Sequence, residues 1–493
     1  MDTVDFKSCD VLVIGSGLSG LRSGISALET DANLHVTVAS SGRGPSGASF
    51  TNINQSLGMV VCRSDKDMDI FTETAVAIAC PGSIRPELTA AMARESQGLF
   101  DDLVRTGFKF KRDDQGDFAK FPCCFLKDPP LAHVFTDLSS AFHALKQRFL
   151  RLGGLMMENL VLQDLIQDGN NGVSGALFLD AQLSRHLAVK SGAMIVSTGG
   201  AAGLFLRNLT GKDNLGFASA LMKRAGARFV NMAYVQFLWY DIHTMEHWPC
   251  WRIASQEFLI RGSHGQARPA PPEIRDLCAE RSSHVPLSHG RSDSAVDDFL
   301  VSRCGPDGVL DIICPDRGLH HVALFAHAMN GGVLINDQGQ TSVKGLFACG
   351  ECAGGMHGAN RIGGAMVLST QVFGKKSGIH AARFAGGKDP AVNPAFTDMV
   401  SDRLNLFIRD DDEWSSGLGR LRALLSSGSG PAAKVRLSSM PSQLREIHQT
   451  ARDFRWKLAL ETALTMAEED DGLGADLPGK PARSTLIKND ETA

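Results

Sequence analysis

Ten residues into the chain, the apolar run Asp10-Val11-Leu12-Val13-Ile14 passes directly into Gly15-Ser16-Gly17-Leu18-Ser19-Gly20 and then into a helical segment, Leu21 to Glu29. A second apolar run, His35 to Ala39, closes a βαβ unit of dinucleotide-fold length. Glycines at these three places have separate physical jobs. Gly15 permits a tight turn, Gly17 lets backbone amides approach a pyrophosphate, and Gly20 lets helix and strand pack closely. The phosphates would lie against the positive end of the helix dipole. A nucleotide fold of this kind expects an acid at the end of the second strand for the ribose hydroxyls. No Asp or Glu occurs between Asp31 and Asp65, and Ser40 and Ser41 occupy the place. This neutral ending weakens a nicotinamide dinucleotide and leaves a flavin dinucleotide open.

Further along, residues 85–107 and 137–152 have helical periodicity, and strand-like patches recur at Val173–Leu179 and Ala193–Ser197, the latter running into Thr198-Gly199-Gly200. From about Tyr234 to Arg317 the composition shifts toward Trp, His, Pro and Arg, and Gly-rich apolar character returns from Gly331 to Gly387. A chain that leaves and re-enters one composition reads as an insertion into a domain. The expected organisation is an α/β fold: a Rossmann-like dinucleotide-binding domain (1–235 and 321–390), an inserted domain (236–320), a helical C-terminal region (395–475) and a disordered tail (476–493). No internal repeat of fixed period is present.

With 493 residues, 43% apolar and 21% charged, the chain can bury a large core. Fifty Lys and Arg against 54 Asp and Glu leave a net charge of −4, which argues against nucleic acid as a partner. No apolar run is long enough to cross a membrane, and the acidic start Met1-Asp2-Thr3-Val4-Asp5 does not resemble a secretory signal. Eleven Cys without framework spacing suit a reducing compartment. A cytoplasmic location follows as the expectation, peripheral to a membrane only through a partner.

The stretch Gly345-Leu346-Phe347-Ala348-Cys349-Gly350-Glu351-Cys352-Ala353-Gly354-Gly355-Met356-His357-Gly358-Ala359-Asn360-Arg361-Ile362-Gly363-Gly364-Ala365-Met366 resembles the second FAD signature of the fumarate reductase, succinate dehydrogenase and L-aspartate oxidase flavoprotein family. Two upstream segments agree in order: Gly226 to Phe237, similar to the run entering the family's cap, and Ala326-His327-Ala328-Met329-Asn330-Gly331-Gly332, similar to the family's substrate-site segment. The resemblance covers about residues 8–388.

It implies that the first domain is a Rossmann-like FAD-binding domain and the insertion at 236–320 an α+β capping domain, with FAD as cofactor, an oxidoreductase activity, and hydride transfer between flavin N5 and a small carboxylate of the fumarate, succinate or aspartate kind. Arg361 can clamp a carboxylate in a bidentate fork and His327 can add a hydrogen bond. Glu351 can accept from ribitol or ribose hydroxyls, and a helix starting near Ala365 would aim free amides at the flavin. The expected cofactor-binding set is Gly15, Ser16, Gly17, Leu18, Ser19, Gly20, Ser40, Gly47, Ser49, Val161, Thr198, Gly199, Gly350, Glu351, Arg361, Ala365 and Met366. The segment Ser46 to Gln55 contains no His, so FAD is expected to be bound noncovalently.

Two departures stand out. Where the family has Phe-His-Pro, Phe237 is followed by Leu238-Trp239-Tyr240, and the third substrate contact is missing. Where the family has its general-acid Arg, ungapped alignment on Val301-Ser302-Arg303 places Asp298, an anion that would repel a dicarboxylate. Arg303 is the expected catalytic substitute, with Arg317, His320 and His321 as alternatives. Two other readings remain open: a protein that passes electrons to an iron-sulfur or other electron-transfer partner within a larger complex, and a degenerate FAD-binding protein without turnover.

Three further patterns are set aside. His243-Thr244-Met245-Glu246-His247 matches a zinc-protease pattern but runs into Trp248-Pro249, so no metal site is expected. Cys349 and Cys352 read as buried thiols, since the residues between them have a flavin-binding reason to exist. Asp410-Asp411-Asp412-Glu413 reads as a solvated loop.

Overall fold

The computed structural model describes residues 4–53, 55–211, 214–261, 265–386, 390–404, 406–426 and 440–468. Strand β1 (Val4–Ile14), helix α1 (Leu18–Thr30) and strand β2 (Val36–Ala39) form the expected βαβ unit, with β1 and β2 parallel from Val11↔Val36 to Ile14↔Ala39. Helix α1 begins three residues earlier than the periodicity predicts. Gly20 therefore lies inside the helix, where an added Cβ would meet the Gly15 carbonyl oxygen at 1.9 Å and the Ser197 hydroxyl at 2.6 Å. That contact is the close helix-to-strand packing the third glycine permits.

The main sheet runs in the order Leu155–Met157, β2, β1, Arg185–Val196, Val173–Asp180, Leu160–Gln167. The strand Arg185–Val196 is shared. Its outer half pairs antiparallel with Val173–Asp180, while its inner end pairs parallel with Leu346–Ala348 at Met194↔Leu346 and Val196↔Ala348. Through that last pairing the late glycine-rich segment returns to the same sheet as the N-terminal loop. Helix Ala365–Ala385 then packs along α1, so both helices begin at one end of the sheet.

Between these segments a five-stranded antiparallel sheet is built from Val235–Asp241, Gly318–Met329, Val309–Cys314, Leu259–Arg261 and Ala267–Arg268, with helices Pro272–Arg281 and Ser294–Arg303. This is the inserted α+β cap. The described C-terminal residues form helices Pro394–Leu404, Asp411–Ser426, Pro441–Thr450 and Phe454–Glu468.

The acidic run at 410–413 departs from expectation. Asp411, Asp412 and Glu413 form the first turn of a helix, and the Asp410 carboxylate accepts from the Glu413 amide at 2.9 Å. Carboxylates gather where a helix exposes its free amides, so the pattern marks a helix start. Within the expected helical region, residues 427–439 and 469–475 lie outside the described residues, as does the tail at 476–493.

Candidate active site

The two glycine segments open on one cavity of about 920 Å³ that follows the carboxyl ends of the parallel strands. One wall is the turn from β1 into α1, with Gly15, Ser16, Gly17, Leu18 and Ser19. Helix α1 is capped by Gly17 without a side-chain hydrogen bond and has no acid in its first turn. Its free amides therefore face the cavity unneutralised. Gly17 has open space where a Cβ would stand. The Ser16 hydroxyl bonds the Ser40 hydroxyl at 2.8 Å, so the place of the missing ribose acid is held by a serine pair.

Opposite, Gly364 (φ +83) turns the chain into helix Ala365–Ala385, again without a side-chain cap, and Met366, Val367 and Thr370 face the cavity. Two uncapped helix starts around one elongated cavity suit a group that carries a pyrophosphate at one part and an electron-accepting ring at another. The residues present thus fit FAD.

Of the remaining residues singled out from the sequence, Ser40, Gly47, Ser49, Val161, Thr198, Gly199, Glu351, Arg361 and His327 also line this cavity. Gly20, Gly350 and Ala365 stand just behind it. Gly350 (φ +78) packs on Ser19, where a Cβ would meet its hydroxyl at 2.3 Å. Glu351 is buried, and its carboxylate accepts from the Met329 amide at 2.9 Å; burial pushes its pKa up.

At one end of the cavity Arg361 is held in place. Its Nε donates to Asn330 at 3.0 Å and one terminal nitrogen donates to Gln236, leaving the other terminal nitrogen without a hydrogen-bond partner among the described residues. Burial lowers its pKa to about 10, against the opposing pull of Glu351, and it stays cationic at neutral pH. His327 reaches the same end by a local irregularity. Gln236 pairs with Ala328 and Phe237 with Ala326, so His327 is the extra residue of a β-bulge, a device that re-aims a side chain. Burial, then the Arg361 charge, lower its pKa to about 4, so it is a neutral imidazole at physiological pH.

Arg303 is not brought to the site. It ends helix Ser294–Arg303 on the surface, its guanidinium over the Phe299 ring at 5.2 Å. Arg317 pairs with Glu246, His320 with Asp241 and His321 with Asp311 on the cap. The neighbour of the aligned Asp298 matters more. Asp297 is fully buried, accepting from the Trp239 indole at 3.0 Å and from Arg281 Nε at 2.7 Å.

The segment 243–247 forms a turn, and Glu246 is engaged by Arg317, so the two His do not share a helix face. Cys349 and Cys352 are both buried with thiol pKa values pushed up, to about 12 for Cys352, so neither stands as a ready thiolate.

Several residues of the site and its support escaped the sequence reading. Gln236 and Asn330, which aim Arg361, carried no signal beyond standing in segments already singled out. Trp414, Leu418 and Arg422 reach the cavity from helix Asp411–Ser426. Their spacing of four is one face of a helix, a signal that was available. Arg422 is anchored by two donations to the Gly203 carbonyl, at 2.9 and 3.1 Å.

Comparison with known proteins agrees with this geometry. The model of the FAD binding domain family matches residues 10–249 and 301–367. The chain is 27% identical to a fumarate reductase (CoM/CoB) subunit of Methanothermobacter marburgensis, over 82% of this chain and 78% of that protein. It is 29% identical to an L-aspartate oxidase of Halobacterium salinarum, over 81% of this chain and 80% of that one. Its fold superimposes on Mycobacterium smegmatis Sdh1 with a TM-score of 0.74 at 19% identity, over 96% of this chain and 87% of the other.

Proposed function

The chain belongs to the FAD binding domain family, and on that premise we propose that this FAD-dependent oxidoreductase moves a hydride between flavin N5 and a small carboxylate substrate. The observation that carries the reading is Arg361, a buried guanidinium that lines the cavity together with His327, fixed by Asn330 and Gln236 and with one terminal nitrogen free of hydrogen bonds among the described residues.

FAD, when bound, supplies the two-electron chemistry. The chain's residues do the rest. The amides of α1 take the pyrophosphate, with Gly15, Ser16, Gly17, Leu18, Ser19 and Ser40 beside them, while Gly20 allows the approach. Gly47, Ser49, Val161, Thr198, Gly199, Gly350 and Glu351 line or back the cofactor's length. Ala365 and Met366 begin the helix whose amides favour negative charge at that end. Arg361 binds the substrate carboxylate, and neutral His327 donates one N–H to it without adding charge. FAD is held noncovalently in this proposal. A second reading, with electrons exchanged through an iron-sulfur or other electron-transfer partner, is favoured by the Methanothermobacter relative, whose name marks it as a reductase subunit.

The test is photoreduction of the purified yellow protein followed by stopped-flow reoxidation. Fast reoxidation by an unsaturated carboxylate supports the proposal, whereas reoxidation by a viologen alone supports the partner reading. No reoxidation by either would leave a cofactor-binding protein without this activity. Acid precipitation should leave the flavin in the supernatant.

A further inference from the structure

Resting on that reading, we infer that the site takes a single carboxylate borne on an apolar body and rejects a dicarboxylate. The strand register carries the argument. Residues directly opposite in an antiparallel pair share a face, and every second residue of a strand returns to it. Gln236, Leu238 and Tyr240 therefore occupy one face of the cap sheet, with Phe325 opposite Leu238 and Ala323 opposite Tyr240, and His327 bulging out of the same strand. Gln236 holds Arg361. One step further along that face, about 7 Å on, Leu238 and Phe325 pack with Leu209 and Tyr240 into an apolar cluster. A substrate anchored at Arg361 and extending along the cap meets hydrocarbon where a second carboxylate would need a donor or a cation.

On the cap side no other described cation makes up the charge. His327 is neutral, because burial holds its pKa at about 4. Arg281, close enough to act electrostatically on the same Cys124 thiol as Arg361 does, has no exposure at all. Its Nε is bonded to Asp297, one terminal nitrogen to the His284 carbonyl, and the other to the carbonyls of Val285 and Pro286. Arg207 turns to the Asp307 carbonyl, and Arg303 lies on the surface. Arg455 pairs with Asp411 and Asp453. Arg422 keeps its charge, because a carbonyl is neutral, but it stands on the C-terminal helix Asp411–Ser426 and spends two donations on Gly203. The cap side of the site therefore balances one negative charge. A second one would be desolvated without a partner, and that cost falls on dicarboxylates alone.

Crotonate and fumarate form the discriminating pair, since they differ by a methyl group in place of a carboxylate. Each is titrated into the holoprotein and followed by perturbation of the flavin band. Crotonate should bind about tenfold or more tighter than fumarate, and trans-2-hexenoate should bind at least as well as crotonate, since a buried methylene adds affinity in an apolar lane. Leu238→Arg should narrow or reverse the preference, and Arg361→Met should abolish binding of every acid. If fumarate binds as tightly as crotonate to the unaltered protein, the inference is overturned while the proposed function stands. If no acid perturbs the flavin of a yellow holoprotein, the proposed function falls and takes the inference with it.

Discussion

The cofactor cradle and the cap treat polar groups in opposite ways. In the cradle, free backbone amides at two helix starts are left facing the cavity, and glycines keep the space around them open. In the cap, polar groups are sealed. Arg281 and Asp297 are both wholly buried, His284 bonds Asp293 at 3.0 Å and is stacked by Phe125 at 4.0 Å, and Ser288 bonds Asp293 at 2.8 Å. Backbone groups cannot be mutated away, so a cradle made of them tolerates sequence change provided the glycines remain. A cap made of side chains changes its chemistry with single substitutions, and at Leu238 and Asp298 it departs from the family pattern. Under the proposed function, cofactor choice and substrate choice would thus be held by different kinds of atoms.

The largest expected effect tests the cradle. Gly20→Val would drive a branched side chain into the Gly15 carbonyl and Ser197, costing about 3 kcal/mol or more, and should yield protein that is colourless or insoluble. The flavin absorbance per chain and the thermal midpoint report it.

Next comes the cap network. Arg281→Met strands the Asp297 carboxylate in a fully buried place, a loss of about 3–5 kcal/mol. The double substitution Arg281→Met with Asp297→Asn should recover much of it in urea unfolding. If the single variant is as stable as the parent, the cap is not sealed in the sense described.

Arg361→Lys keeps the charge but cannot serve Asn330, Gln236 and a carboxylate together. Affinity for carboxylates should fall about 100-fold with the flavin spectrum otherwise intact, which separates substrate anchoring from cofactor holding.

Acidification compares the regions directly. His327 in the site and His133 among the core phenylalanines both have pKa values lowered to about 4, in each case chiefly by burial. An unfolded chain takes up these protons near the ordinary histidine value, while the folded one does not until about pH 4. Their contribution to stability is therefore complete above about pH 6.5 and is lost as pH falls from there toward 4. Unfolding free energy measured across that window should decline, and His327→Asn should flatten part of the slope.

The smallest effect is expected at Arg303. Arg303→Ala removes an exposed guanidinium outside the cavity and should change stability and carboxylate affinity by no more than about 0.5 kcal/mol. A thousandfold fall in turnover would instead return Arg303 to the chemistry.

Much of this was legible in the chain. The strand, glycine loop and helix at residues 10–29 were readable because each glycine answers to a local backbone requirement, and the Asn360-Arg361 turn because its residues are contiguous. The insertion between the glycine-rich segments was read from composition, and the strand Gly318–Met329 runs past the boundary expected at 320. Arg303 was misplaced because ungapped alignment ranks positions along a chain, while where helix Ser294–Arg303 lies and which of its residues face solvent is set by packing. The C-terminal helices were missed as cavity walls for the same reason: their spacing describes a face without saying what the face meets.

What the amino-acid order determined unaided was the glycine turn from β1 into α1, the late glycine-rich return to the sheet, and the residue types available at the site, all of which depend on neighbours within a few positions. Only the tertiary structure decided that His327 bulges out beside Arg361, that Gln236 and Asn330 aim the guanidinium, and that Arg281 is locked away behind Asp297. Those outcomes depend on strand register and burial, which join residues 31 to 125 positions apart in the case of Arg361 and its two partners. The free energy of such contacts is fixed by which groups lose water together, and that is a property of the packed molecule.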